Sequence, residues 1–224
     1  MSNIVKAVIF DQDGLMFDTE RLSVTAWNEV GKKYGISVED SFFDYLKGGG
    51  RAQAIALMKD RFGPDFPCEK FLDEKKAYSY RQIEREGVPV KKGLKELLHY
   101  LKDHGCKTGV ATASSRDWTQ RNVKDAGIDG LFDTYTYGEM VSRVKPDPEI
   151  FLLAAKMLGE KPQECLVLED SFNGLEAGFS GGFLTVMVPD LSFPGPELKK
   201  RLTAQCDSLL GVIDLFEQGF FRFG

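Results

Sequence analysis

The chain has few cysteines, few histidines and no long apolar run. Its cysteines lie far apart and form no Cys-x-x-Cys pair, which indicates neither a zinc site nor a disulfide framework; they are Cys68, Cys106, Cys165 and Cys206. No segment approaches the roughly 20 apolar residues of a membrane span. The apolar stretch at 4–10 is too short for a signal peptide. These absences predict a cytoplasmic protein with reduced thiols and no membrane contact.

The chain also has no excess of basic residues over acidic ones. The 224 residues carry a formal net charge of -5, and the isoelectric point is about 5.2. Nucleic-acid binding needs a basic surface that replaces counterions, so this balance argues against a general nucleic-acid binder. Hydrophobic residues make up 42% of the chain, which is enough for one large domain, or for a core with a modest insertion.

Short apolar runs alternate with amphipathic helical patterns over most of the chain. The runs predicted as strands are Val5–Phe10, Lys107–Ala111, Phe132–Thr136, Cys165–Leu168 and Leu184–Val188. Continuous apolar strands that alternate with helices are typical of a parallel sheet covered on both faces. The pattern therefore predicts an α/β fold with a Rossmann-like, doubly wound parallel sheet.

One long segment breaks this alternation. Residues 17–90 contain no convincing strand, and Leu22, Ala26 and Val30 share one face of a predicted helix. We expect an all-helical cap domain at 17–90, inserted into a core domain formed by 1–16 and 91–224. Glycine and proline near 16–18 and 87–92 mark the hinges.

Polar groups recur where the predicted strands end. They are Asp11 and Asp13 with Gly14, then Thr112-Ala113-Ser114, then Lys145, then Glu169-Asp170. Ligands of open α/β sheets bind beyond the carboxyl ends of the strands, so these groups are expected to meet in one cleft. Two adjacent acids are costly unless a cation shares their site, which indicates a metal and an anionic substrate.

The chemistry of these groups is complementary. A carboxylate can attack a phosphoryl group, and a second one can transfer protons to the leaving oxygen and from water. Hydroxyls and backbone N–H groups at a helix start can hold phosphate oxygens. Taken singly, each motif has a plainer interpretation: Asp11 and Asp13 as a turn, Thr112 and Ser114 as helix caps, and Lys145 as a solvated side chain.

Together, in order and spacing, the four groups resemble the haloacid dehalogenase superfamily. The resemblance covers essentially the whole chain and rests on Phe10-Asp11-Gln12-Asp13-Gly14, Thr112, Lys145 and Leu168-Glu169-Asp170-Ser171. Asp18-Thr19-Glu20 and the helical segment resemble the subgroup with a cap after the first strand. That subgroup contains beta-phosphoglucomutases and pseudouridine-5'-phosphatases.

The resemblance implies roles for these residues. Asp11 is the expected nucleophile and Asp13 the expected general acid and base, while Lys145 orients Asp11 and offsets charge. The implied magnesium ligands are the Asp11 carboxylate, the Asp13 backbone carbonyl, Asp170 and Glu169, the last directly or through water. Thr112, with the backbone of Ala113 and Ser114, is expected to hold the phosphoryl group.

Other positions follow the family less closely. Arg51 and Lys76 stand where cap residues contact substrate in beta-phosphoglucomutases, and with Lys47 and Lys75 they are candidates for a basic lid. Gln12 occupies a position that is more often apolar in the family. Because side chains alternate along a strand, we expect Gln12 to point away from the two acids and to affect the chemistry little.

The sequence thus predicts a magnesium-dependent phosphatase acting on a small phosphorylated metabolite, a sugar or nucleoside monophosphate, as a monomer or weak homodimer. One alternative is a phosphomutase of the beta-phosphoglucomutase type. Those enzymes carry a cap histidine where this chain has Ser23, and residues 17–90 contain no histidine, which weakens this alternative. A second alternative is a non-catalytic metabolite sensor, against which the intact acids and Lys145 argue.

Overall fold

The fold is described from a computed structural model, which covers residues 3–37, 39, 42, 43, 46 and 50–224. In this part of the chain the helices are α1 Thr19–Tyr34, α2 Gly50–Phe62, α3 Cys68–Glu86, α4 Leu94–Asp103, α5 Arg116–Asp125, α6 Glu149–Leu158, α7 Phe172–Ser180, α8 Pro196–Lys199 and α9 Leu209–Glu217. The strands are β1 Asn3–Val5, β2 Ala7–Phe10, β3 Lys107–Thr112, β4 Thr134–Tyr137, β5 Cys165–Glu169, β6 Leu184–Met187, β7 Ala204–Gln205 and β8 Phe221–Phe223.

The core of the molecule is a six-stranded parallel sheet in the order β4-β3-β2-β5-β6-β7. Every residue of β2 and β5 is buried, because helices cover both faces of the sheet. Helices α4, α5 and α9 pack on one face, and α6 and α7 pack on the other. The predicted Rossmann-like α/β fold is confirmed.

The start of the chain differs from the single strand predicted at Val5–Phe10. The structure divides this run at Lys6, whose backbone N–H donates to the Glu164 carbonyl at 2.8 Å. Strand β1 pairs with β8 in a separate two-stranded sheet, and only β2 enters the main sheet. The short strands β7 and β8 were not predicted, because neither has the length or alternation that marks a strand in sequence.

The helices between β2 and α4 have a hydrophobic core of their own. It is built around Trp27, Val30, Met58 and Phe71. Two chain segments connect these helices to the sheet, and they lie side by side. The Asp18 N–H donates to the Pro89 carbonyl at 2.8 Å, and the Lys91 N–H donates to the Met16 carbonyl at 2.9 Å.

The cysteines are unpaired and buried. Burial raises the pKa of the Cys106 and Cys165 thiols to about 12, so both stay protonated near neutral pH. Among the described residues, we find no helix with the length and apolar character needed to cross a bilayer.

Candidate active site

Three neighbouring strands bring the sequence motifs to one edge of the sheet. Phe10 at the end of β2 is in register with Val110 of β3 and Leu168 of β5. The polar residues that follow these three positions therefore meet in space, as expected where parallel strands end side by side.

Lys145 is a buried charge at this edge, with only 1% of its surface exposed. Its ammonium group donates to Asp11 Oδ1 at 2.5 Å, to Glu169 Oε1 at 2.6 Å and to the Ala111 carbonyl at 3.3 Å. Burial lowers the pKa of Lys145, but the charges of Asp11 and Glu169 outweigh that effect and raise it above the ordinary value. Lys145 therefore stays protonated and holds the two carboxylates in place.

Both carboxylate oxygens of Glu169 accept hydrogen bonds that hold the side chain in place. Oε1 accepts from Lys145, while Oε2 accepts from the Asp170 N–H at 3.0 Å and from the N–H and hydroxyl of Ser171, both at 2.9 Å. A Cβ atom at Gly174 would lie 1.7 Å from Glu169 Oε1. Glycine is therefore required at 174 so that this carboxylate fits.

Asp11, Glu169 and Asp170 form a buried acidic cluster in which one ligand atom from each lies within 4.8 Å of the others. Asp170 Oδ1 is buried without a hydrogen-bond partner in the part of the chain described. Burial raises the pKa of the Asp11 and Asp170 carboxyls well above the usual range. Three carboxylates around one ammonium group leave excess negative charge, and the unpartnered oxygen fits a hard divalent cation such as Mg²⁺.

The close approach of the turn to this cluster depends on Gly14. Its φ angle is +90°, and a Cβ atom there would lie 2.2 Å from Asp170 Oδ2. Any other residue at position 14 would be strained in conformation and would displace the Asp170 carboxylate. Gly14 thus sets the geometry of the candidate metal site.

Asp13 lies beside this cluster and accepts hydrogen bonds on both oxygens. Oδ1 accepts from the Thr19 hydroxyl at 2.6 Å and from the Trp118 indole N–H at 3.1 Å. Oδ2 accepts from the Ser114 hydroxyl at 2.7 Å and from the Gln12 amide at 3.3 Å. The expectation that Gln12 points away from both acids is wrong, because its amide reaches Asp13.

Thr112 and Ser114 bond within the cleft and do not cap the next helix. The Thr112 hydroxyl oxygen accepts from the Ser114 N–H at 3.0 Å, and the Ser114 hydroxyl donates to Asp13. The residue that precedes α5 is Ser115, and its side chain makes no cap hydrogen bond. The helix-capping interpretation of Thr112 and Ser114 is therefore wrong.

A cavity of about 340 Å³ lies between the sheet edge and the helices of 17–90. Its walls include Asp11, Asp13, Thr112, Ala113, Ser114 and Trp118 from one side and Glu20, Ser23, Gly50, Arg51, Lys75 and Lys76 from the other. The cavity brings the predicted cap residues Arg51 and Lys76 to the same space as the acids.

The basic residues of the cavity differ in their surroundings. The Arg51 guanidinium donates to Glu69 and, at 2.8 Å, to Asp73, so acids of α3 already occupy it. Lys76 is exposed, with its ammonium 5.5 Å from the centre of the Tyr80 ring. Lys75 is less exposed than Lys76, and its burial lowers its pKa. Lys47 lies outside the described residues.

Three residues of the site were missed from the sequence. Ser171 precedes α7 and its side chain accepts from the Gly174 N–H at 3.1 Å, so the helix-start pattern could have identified it. Thr19 lies in a segment noted only for its family resemblance. Trp118 was not identified, because one tryptophan on a helix carries no signal that it will bond an acid distant in sequence.

The chain was compared with known proteins, and a family model for haloacid dehalogenase-like hydrolases matches residues 5–182. The chain therefore belongs to this family, which confirms the resemblance predicted from its motifs. It is 28% identical over 181 residues to the phosphorylated carbohydrates phosphatase of Thermotoga maritima, covering 80% of this chain and 82% of that protein. It is 29% identical over 215 residues to a Drosophila melanogaster protein named "Probable pseudouridine-5'-phosphatase", covering 93% and 90%.

Solved structures give the same result for the fold. A crystal structure of beta-phosphoglucomutase from Clostridium difficile matches with a TM-score of 0.83 and 26% identity, covering 97% of each chain. The family and the named relatives show that this chain is an enzyme of the hydrolase class with phosphatases among its relatives.

Proposed function

We propose that this enzyme is a magnesium-dependent phosphatase that hydrolyses a small phosphorylated metabolite, a sugar or nucleoside monophosphate, through an aspartyl-phosphate. The observation that carries the proposal is the buried lysine-acid arrangement, in which Lys145 holds Asp11 next to the unpartnered carboxylate of Asp170. The names of the related phosphatases support the substrate class.

In the first step a carboxylate oxygen of Asp11 attacks phosphorus, and the bond between phosphorus and the leaving oxygen breaks. Asp13 gives its proton to that oxygen, so the product leaves as a neutral alcohol. In the second step Asp13 takes a proton from water, which attacks the phosphorus of the aspartyl-phosphate. Inorganic phosphate leaves and the Asp11 carboxylate is restored.

The remaining groups position the phosphoryl group. The Thr112 hydroxyl and the backbone N–H groups of Ala113 and Ser114 would hold its oxygens. Mg²⁺ would be held by the Asp11 carboxylate, the Asp13 backbone carbonyl and Asp170, with Glu169 reaching it through water because both Glu169 oxygens are already bonded. Bound there, the ion supplies positive charge against the phosphoryl oxygens.

Residues 17–90 act as the cap and 1–16 with 91–224 as the core in this proposal. The cap would exclude bulk water and select the substrate through Arg51, Lys75 and Lys76. A phosphomutase is disfavoured because Ser23 lines the cavity and no histidine stands among its described walls. Location in the cytoplasm and the monomeric or weakly dimeric state stay predictions.

The test is phosphate release from a panel of sugar and nucleoside monophosphates with Mg²⁺. Asp11→Asn should abolish release, because an amide is a poor nucleophile, while Asp103→Asn at an exposed position serves as the matched control. Retained turnover in Asp11→Asn would overturn the proposal. Formation of glucose 6-phosphate from beta-glucose 1-phosphate without free phosphate would identify a mutase instead.

A further inference from the structure

We propose that Trp118 is a positioning residue that fixes the orientation of Asp13 and makes it depend on the position of the cap. This inference rests on the proposed function, in which Asp13 is the general acid and base. Trp118 lies on core helix α5, donates to Asp13 through its indole N–H and packs against Tyr80 of cap helix α3. It therefore joins the proton-transfer group to the element that closes the site.

The contact with Asp13 differs in kind from the contacts made by the hydroxyls. Thr19 and Ser114 can either donate or accept, because a hydroxyl rotates, whereas an indole N–H can only donate. Trp118 and Thr19 both donate to Oδ1. Oδ2 accepts from the Ser114 hydroxyl, which can rotate to accept instead, and from the Gln12 amide only at the longer distance of 3.3 Å. The proton that Asp13 transfers is therefore favoured on Oδ2.

The cap also contacts the Trp118 ring. The Tyr80 ring meets the indole edge to face, with centroids 5.1 Å apart and planes at 78°. The Arg121 guanidinium lies 4.7 Å from the centre of the Tyr80 ring. Arg121 also pairs with Glu84 of α3 at 3.0 Å. The cap thus docks on α5 through a compact cluster, and Trp118 is the member of it that also reaches Asp13.

The consequence is a link between cap position and proton transfer. While Tyr80 packs on the indole, the ring is confined and its N–H stays directed at Oδ1. When α3 moves away, the indole loses its packing partner, and the other donors to Asp13 are hydroxyls that can rotate and the more distant Gln12 amide. Protonation of the leaving group is therefore tied to the closed cap.

The first test uses Trp118→Phe, which keeps a ring against Tyr80 and removes the N–H. We expect kcat/KM for an alkyl phosphate to fall about tenfold, as the loss of one hydrogen bond to a charged group predicts. For p-nitrophenyl phosphate, whose leaving group needs no proton, we expect a change within about twofold. Equal losses on both esters, in an enzyme that still depends on Asp11, would overturn the positioning role alone.

The second variant addresses the cap contact. Tyr80→Leu should also lower kcat/KM more for the alkyl phosphate than for p-nitrophenyl phosphate, because it removes the ring that confines the indole. Tyr78→Leu is the matched control, since Tyr78 is on the same helix but packs into the core of the cap. If Tyr78→Leu also lowers kcat/KM selectively for the alkyl phosphate, any loss of cap packing produces this effect. That result would overturn the link through Trp118.

A third measurement does not depend on turnover. The chain has two tryptophans, so its indole N–H resonances are two, and Trp27 is an internal reference. Asp13→Ala should shift the Trp118 peak and leave the Trp27 peak in place. An unshifted Trp118 peak would overturn the contact itself, whereas absence of Asp11-dependent phosphate release from every ester would overturn the proposed function.

Discussion

The two walls of the cavity are built on different principles. On the core wall, Asp11 is buried and pairs at 2.5 Å with Lys145, which in turn pairs at 2.6 Å with the buried Glu169. On the cap wall, the Arg51 side chain is 44% exposed and pairs with Glu69 and Asp73, which are more exposed still. Lys76 is also exposed. The core wall is held by buried charge pairs, while Arg51 and Lys76 on the cap wall are solvated charges.

Under the proposed function, this difference separates chemistry from the choice of substrate. Buried, paired charges lose little to solvent and hold a fixed geometry, as a nucleophile and its counter-ion require. Exposed pairs contribute little energy and can be exchanged for contacts to a ligand. The predictions below test whether the two walls really divide these roles.

The largest effect is expected from Lys145→Met, which leaves Asp11 and Glu169 buried without their cation. Breaking a buried pair from one side costs about 3–5 kcal/mol of unfolding free energy. Turnover should fall at least about 100-fold, as for the loss of an electrostatic group in an active site. Denaturant unfolding and steady-state kinetics measure the two losses.

Lys107→Met is the matched control for that experiment. The Lys107 side chain is 46% exposed and pairs with Glu160 at the surface, so the unfolding free energy should change by at most about 1 kcal/mol. A Lys145 variant as stable and active as the Lys107 variant would contradict the account of the core wall.

The second effect concerns pH and metal. Burial raises the pKa of Asp170 in the folded, metal-free protein, so above its unfolded pKa the folded state holds more protons than the unfolded state. The contribution of Asp170 to stability is therefore lost as pH rises through the raised pKa. With chelator present, the thermal midpoint should fall because of this group as pH rises above the ordinary pKa range of a carboxyl group, and Mg²⁺ should restore it most at the higher pH.

Asp170→Asn provides the comparison, since an amide does not titrate. This variant should show a weaker fall of the thermal midpoint with pH and little stabilisation by Mg²⁺. Equal stabilisation of the parent protein and the variant by Mg²⁺ would place the ion elsewhere.

The smallest effect is expected on the cap wall, where Lys75→Met and Lys76→Met form a matched pair. Lys75 is the less exposed of the two, and its position is close enough for Glu20 and Asp13 to influence its pKa. We expect Lys75→Met to raise KM for the preferred metabolite about tenfold or more, with Lys76→Met changing it less. Equal changes in both variants would remove the distinction between these lysines.

The core wall could be predicted from sequence because strand ends fix it. Asp11 follows β2 and Glu169 ends β5, and parallel pairing of these strands leaves little freedom in where the two acids lie. Lys145 was expected in the same cleft from its place in the chain, but its pairing with Asp11 was expected only from its family motif. Without that motif its burial was unpredictable, since lysines are seldom buried unless paired.

Contacts between distant elements could not be predicted in this way. Gln12 was expected to point away because strand alternation suggests it, but β2 ends at Phe10 and the turn beyond it follows a different geometry. Trp118 reaches Asp13 from a separate helix. Lys76 was singled out by its family resemblance, and both Lys75 and Lys76 line the cavity. The difference in exposure between them follows from the packing of α3, which the sequence does not show.

The side-by-side course of the two connecting segments gives the molecule a modular character. The chain leaves the sheet at 16–18 and returns at 89–91, joined by hydrogen bonds from Asp18 to Pro89 and from Lys91 to Met16. Phe17 and Val90 form an antiparallel bridge between them. Another helical segment could be inserted between these two points without moving a strand. Substrate preference could then change by replacement of the inserted domain while the residues at the sheet edge stay the same.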